Sequence, residues 1–78
     1  MGMNQTEAVR VQLYLRQLFG NDRVIVKLRP KDGSAEVYLG QEFVGVMFRD
    51  DEEGDVSFSF TMAILEEDLP PAPRGLVS

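Results

Sequence analysis

The chain has 78 residues and 44% hydrophobic residues, values typical of a single small globular domain. It contains no cysteine and no histidine, so disulfide bonds, thiolate zinc sites and histidine acid–base catalysis are excluded. Its 13 acidic residues outnumber 8 basic ones, and the net charge of −5 opposes binding to nucleic acid or to an anionic membrane surface.

The first predicted element is a helix over residues 5–19. Asn4 can cap its N-terminus, and Glu7 stands three residues later, which is the spacing of a capping box. Gly20 supplies the left-handed position that ends a helix. Apolar residues recur at helical spacing and predict one buried stripe, formed by Ala8, Val11, Leu15, Leu18 and Phe19.

After the helix, apolar residues recur at every second position, which predicts strands. Turn signals at 30–33, 40–41 and 50–54 divide this region into four strands joined in sequence order. Simple pairing across these turns makes Val46 and Phe58 buried neighbours and puts one apolar set on a single face: Val24, Val26, Leu28, Ala35, Val37, Leu39, Val44, Val46, Phe48, Val56, Phe58 and Phe60. The sequence therefore predicts an α+β fold, with an N-terminal helix packed on one face of a four-stranded antiparallel meander sheet.

The periodic pattern ends near residue 66, and prolines dominate the region that follows. Proline removes backbone donors and disfavours both helix and strand. We therefore expect residues 1–68 to form a single α+β domain and residues 69–78 to form a mobile, proline-rich tail.

No motif in the chain predicts a catalytic residue, a bound cofactor or a metal ligand, and we expect no enzymatic activity. The acidic loop over residues 50–55 lacks the ligand spacing of a calcium-binding loop; we interpret it as a solvated hairpin loop and leave open whether it binds cations. Glu36 lies opposite Lys27 in the predicted register, which indicates a cross-strand ion pair and not a catalytic acid.

The second face of the predicted sheet carries a row of apolar side chains across neighbouring strands, formed by Ile25, Tyr38, Phe43 and Met47. A contiguous apolar row with charged residues at its rim is typical of a binding surface, so this row is the candidate interface. A second apolar pair, Val9 and Leu13, lies on the helix away from the main stripe and is the second candidate interface.

Short stretches across most of the chain carry a family resemblance: Val11-Gln12, Tyr14-Leu15-Arg16, Phe19-Gly20-Asn21, Arg29-Pro30, Ser34-Ala35-Glu36-Val37-Tyr38, Phe43-Val44-Gly45-Val46, Phe48-Arg49-Asp50-Asp51-Glu52-Glu53-Gly54 and Met62-Ala63-Ile64-Leu65. On these stretches the chain resembles a family of small uncharacterised alphaproteobacterial proteins, classed as a domain of unknown function. The resemblance runs from about Glu7 to Asp68 and leaves out the proline tail. It implies a bacterial source, and it assigns no catalytic residue to this chain.

These features favour a small non-enzymatic protein-interaction module that binds a protein partner, or a second copy of itself, through the exposed sheet face. The alternative is a small-molecule-binding or regulatory subunit of a metabolic enzyme, although a domain this small has little room for a pocket of several hundred Å³. Because no apolar run is long enough to span a membrane and no signal peptide is evident, we expect a cytoplasmic protein with no nucleic-acid or membrane partner.

Overall fold

The computed structural model describes residues 2–52 and 54–75. Its elements in chain order are α1 (Gln5–Phe19), β1 (Val24–Arg29), β2 (Ser34–Leu39), β3 (Glu42–Asp50), β4 (Ser57–Thr61) and a 3-10 turn (Glu66–Asp68). The strands form one antiparallel sheet in the order β1-β2-β3-β4. The predicted fold, an N-terminal helix against a four-stranded antiparallel meander, is confirmed.

α1 begins and ends at the predicted residues. The Asn4 side chain accepts a hydrogen bond from the Glu7 N–H at 2.8 Å, and the Glu7 carboxylate accepts one from the Asn4 N–H at 3.1 Å. These reciprocal bonds form the capping box that the sequence predicts. At the other end, Gly20 adopts the left-handed conformation with a φ of 62°, which glycine reaches without a steric penalty.

α1 packs mainly on β1, at one side of the sheet. The Gln12 side-chain carbonyl accepts a hydrogen bond from the Val26 N–H at 3.0 Å, and the Arg16 Nε donates one to the Val24 carbonyl at 2.8 Å. These bonds satisfy backbone groups that have no further strand to pair with. The β1 edge is therefore covered by α1, and the helix side of β4 is left partly open.

The buried core lies between α1 and the sheet and consists of Met3, Ala8, Leu15, Val24, Val26, Ala35, Val37 and Met47. Met3 precedes the helix, and the sequence did not predict its burial; its N–H bonds to the Gly33 carbonyl at 2.8 Å. The prediction that Leu18 and Phe19 are buried is wrong, since they are 58% and 57% exposed. Because α1 packs mainly on β1, the flank of its apolar stripe stays uncovered.

The first hairpin has the predicted register, with Val26 opposite Val37 and Leu28 opposite Ala35. The second hairpin does not. Tyr38 pairs with Phe43, but the next residue of β2, Val37, pairs with Gly45, so Val44 is an extra residue in β3. This β-bulge shifts the register of the rest of β3 by one residue.

Gly45 accounts for the position of the bulge. A Cβ atom on this residue would lie 2.5 Å from the Thr61 carbonyl oxygen and 2.6 Å from the Phe60 ring. No side chain fits in that space, so only glycine lets β4 and its aromatic ring approach β3 this closely.

The bulge reverses the two faces of β3 beyond it. Met47 faces α1 and is 2% exposed, so the prediction that it lies on the face opposite α1, which we call the outer face, is wrong. Val46 and Phe48 lie on the outer face instead. The predicted contact between Val46 and Phe58 is also wrong, because Phe58 pairs with Arg49.

The same reversal places Arg49 on the helix side, where its Nε donates to the Glu7 carboxylate at 2.9 Å and its Nη1 to the Asp51 carboxylate at 2.7 Å. The side chains of Arg49 and Glu7 are only 16% and 15% exposed. The hydrogen bond from Asn4, and then the one from Arg49, hold the pKa of Glu7 below its usual 4.5. This ion pair joins the N-terminus of α1 to a strand 42 residues later.

β4 ends at Thr61, whereas the alternating sequence pattern continues to Ile64. Residues 62–75 are all exposed. The division into a 1–68 domain and a 69–78 tail stays a prediction, and residues 76–78 lie outside the described part of the chain, as does Glu53 of the acidic loop.

The β3 register can be tested with two neighbouring truncations. We expect Met47→Ala to lower the free energy of unfolding by about 2–5 kcal/mol, because it leaves a cavity in the core. Phe48→Ala is the matched control; it removes a larger side chain that is 47% exposed, and we expect a loss of about 1 kcal/mol or less. Urea unfolding followed by circular dichroism measures both, and a larger loss for Phe48→Ala would support the register without a bulge.

The Glu7–Arg49 ion pair predicts a pH dependence. Because the pKa of Glu7 is lower in the folded state than its usual 4.5, its charge stabilises the fold above that pH, and this stabilisation is lost as the pH falls through the folded-state pKa. We expect Glu7→Gln to lower Tm at neutral pH, with a difference from the native chain that shrinks below pH 4.5. Thermal melts across this range measure it, with Glu42→Gln at an exposed carboxylate as control. A difference that is independent of pH would contradict the role of the charge.

Candidate interaction surfaces

Three of the four predicted interface residues lie together on the outer face. Ile25, Tyr38 and Phe43 occupy paired positions on β1, β2 and β3, and we call them the outer-face cluster. The Tyr38 and Phe43 rings meet edge to face, with centroids 5.7 Å apart and planes at 75°. Phe43 is 49% exposed and Ile25 is 36% exposed, so both present apolar surface to solvent. Met47 is absent from this cluster because of the bulge.

Contacts on several sides hold the Tyr38 ring in place. Its hydroxyl donates a hydrogen bond to the Glu36 carboxylate at 2.7 Å, and the Lys27 Nζ lies 5.2 Å from the ring centroid, within the range of a cation–π interaction. Glu36 stands opposite Lys27 as predicted, but its ion pair is with Arg29, whose Nε lies 3.0 Å from the carboxylate. The Tyr38 ring of the outer-face cluster is therefore held by a hydrogen bond and by charged neighbours within the chain.

The pKa shifts in this network show which protons stay in place. The hydrogen bond from the Tyr38 hydroxyl, and then the one from Arg29, lower the pKa of Glu36 below its usual 4.5. The same hydrogen bond to Glu36 raises the pKa of Tyr38 above its usual 10.0. Near neutral pH the carboxylate is therefore ionised and the phenol protonated, which maintains the bond that positions the ring.

Val46 and Phe48 extend the apolar surface along β3, and sequence reasoning missed both because it placed them in the core. Phe48 is 47% exposed. The available signal was Gly45, since a glycine inside a strand pattern often marks a bulge or a close backbone approach.

A second apolar surface lies on the helix side, in a groove between α1 and the last two strands. The groove has a volume of about 410 Å³. Its lining residues are Glu7, Arg10, Val11, Tyr14, Leu15, Met47, Phe58 and Phe60. It exists because α1 packs mainly on β1 and leaves the helix side of β4 partly uncovered, which no local sequence signal indicates.

The second candidate interface, Val9 and Leu13, is 43% and 56% exposed on α1 and lines neither the groove nor the outer face. In the acidic loop, the Asp51 carboxylate is bonded to Arg49. Across residues 2–52 and 54–75, no group of three or more acidic, cysteine or histidine side chains could hold a metal ion. Cation binding by the loop stays untested. No helix in the described ranges is long and apolar enough to cross a membrane.

Comparison with known proteins gives a family but no activity. No curated protein and no solved structure matches the chain. A family model matches residues 7–68, a range that includes the outer-face cluster, the bulge of β3 and all of β4. The resemblance to a domain of unknown function is therefore confirmed, and the alphaproteobacterial source stays a prediction. The chain belongs to the family described as protein of unknown function (DUF3126).

Proposed function

We propose that the protein is a small non-enzymatic interaction module that binds a protein partner through its outer face. The observation that carries this proposal is the outer-face cluster, in which exposed Phe43 and Ile25 flank an aromatic ring that the chain already holds in place. Rigid aromatic groups bury a large area at little cost in conformational entropy, which is why binding energy concentrates in them.

The charges around the cluster indicate the chemistry of the partner. Arg29 is engaged by Glu36 and Asp32, whereas Lys27 makes no salt bridge to any carboxylate of the described residues. A partner segment with an apolar side chain against Phe43 and an acidic side chain near Lys27 complements both features.

The carboxylates support a binding role over acid–base catalysis. Hydrogen bonds from neighbouring groups lower the pKa values of four of them, Glu7, Asp32, Glu36 and Asp51. A general acid needs the opposite shift, a pKa raised towards the working pH. The cytoplasmic location, the alphaproteobacterial source and the absence of nucleic-acid and membrane partners remain predictions that rest on the sequence.

A second candidate function is small-molecule binding in the helix-side groove, as part of a regulatory subunit of a metabolic enzyme. The groove volume of about 410 Å³ lies within the usual range of ligand sites, so the size argument against this function does not hold. The groove is the less suitable site because its carboxylate, Glu7, is already bonded to Asn4 and Arg49.

The proposal predicts that Phe43→Glu strongly weakens partner binding, because it places a charge where a desolvated contact forms. Leu13→Glu is the matched control, at an apolar residue on α1 of similar exposure, 56% against 49%. The tagged native chain should capture a partner from a lysate of the source organism, and titration of that purified partner should show binding at least about 30-fold weaker for Phe43→Glu and unchanged for Leu13→Glu. Circular dichroism checks that each variant is folded.

Native affinity in a folded Phe43→Glu chain would exclude the outer face as the binding site. A loss confined to Leu13→Glu would move the interface to the helix pair Val9 and Leu13. A metabolite that raises the Tm of the native chain, but not that of Tyr14→Ala in the groove, would favour the second candidate function.

A further inference from the structure

The two edges of the sheet differ in how they are protected. β1 carries Lys27 and Arg29, and side chains of α1 bond to its backbone. β4, over Ser57–Thr61, contains no charged residue and no proline, and no described element pairs with its free side. Exposed strands usually carry charge, proline or a covering element, because their unpaired backbone groups bind other strands. β4 is therefore an open edge.

The sequence around β4 is self-complementary over residues 56–62. Reading outwards from Ser59 in both directions, the matched pairs are Phe58 and Phe60, Ser57 and Thr61, and Val56 and Met62. When two copies of this strand pair antiparallel about a two-fold axis at Ser59, each residue faces its chemical counterpart in the other copy. This symmetry favours a second copy of the chain, and not an unrelated protein, as the partner of β4.

This pairing also sorts the side chains by face. Phe58 and Phe60 lie on the helix side of the sheet, at the groove, so in this pairing Phe58 of one copy stands opposite Phe60 of the other on that face. The hydroxyl side chains of Ser57, Ser59 and Thr61 meet on the outer face. Aromatic pairs and hydroxyl pairs across strands both stabilise a sheet.

We propose that the protein forms a symmetric dimer in which β4 pairs antiparallel with β4 of a second copy. The two four-stranded sheets then become one continuous sheet with its two-fold axis at Ser59. This inference does not rest on the proposed function, because it uses the β4 edge and the helix-side groove and leaves the outer-face cluster free.

Such a contact can bury apolar side chains that are exposed around β4. A stable dimer needs about 800 Å² from each copy. Exposed apolar side chains are available for burial at the groove and in the sequence that flanks β4: Tyr14, Val56, Met62, Ile64 and Leu65.

The molar mass in solution is the first test. We expect light scattering to give twice the chain mass of 8.8 kDa. Ser59→Lys brings two like charges together at the axis, and we expect the mass of a single chain with an unchanged circular dichroism spectrum. Mixing this variant with Ser59→Asp should restore the doubled mass, because opposite charges then face each other.

Cross-linking tests the register itself. The chain has no cysteine, so Ser59→Cys introduces a single thiol that faces its own copy across the axis, and we expect a disulfide-linked dimer under mild oxidation. Ser57→Cys is the matched control, because in the proposed register its two copies lie roughly 14 Å apart and cannot form a disulfide.

Three results would overturn the proposal. They are a native chain with the mass of a monomer up to millimolar concentration, a Ser59→Lys chain that keeps the doubled mass, and cross-linking of Ser57→Cys as fast as that of Ser59→Cys. The first two results would overturn the dimer and leave the proposed function standing. Binding of a different protein through the outer face does not require the chain to form a dimer.

Discussion

Gln12 and Arg16 bind backbone groups of β1, and this docking of α1 determines which surfaces of the sheet are covered. The strand at the edge of a sheet has polar groups that must be satisfied by water, by side chains or by another strand. One helix of 15 residues provides this cover on one side only. On the other side of the sheet, β4 and the groove beside it consequently have no covering element among the described residues.

The helix and the first hairpin could be predicted from the sequence because their signals are local. Asn4 and Glu7 form the capping box, Gly20 supplies the left-handed residue, and the turn at 30–33 is specified by its own residues. Side chains within a few positions of each other decide these features. No distant part of the chain has to be known.

The register of β3 could not be predicted from alternation, because β3 carries apolar residues on both of its faces. Val46 and Phe48 fit a core as well as Met47 does, so alternation alone does not show which face of β3 is buried. Contacts between distant parts of the chain decide between them: the Phe60 ring lies where a side chain on Gly45 would be, and Arg49 reaches Glu7 only in the shifted register. Ile25, Tyr38 and Phe43 were placed correctly because they come before the bulge.

Phe48 connects the proposed dimer with the outer face that the proposed function uses. This residue pairs with Ser59, the residue at the proposed two-fold axis, and both lie on the outer face. Across the axis, the outer face would therefore present Phe48, two serines and the second Phe48 in one row, with the two β3 strands about 14 Å apart. In that dimer, the small serine side chains would leave a shallow depression between the two aromatic rings. Because a symmetric dimer also carries two outer-face clusters on the same sheet, a partner with two matching segments gains affinity from the second contact without any new kind of interaction.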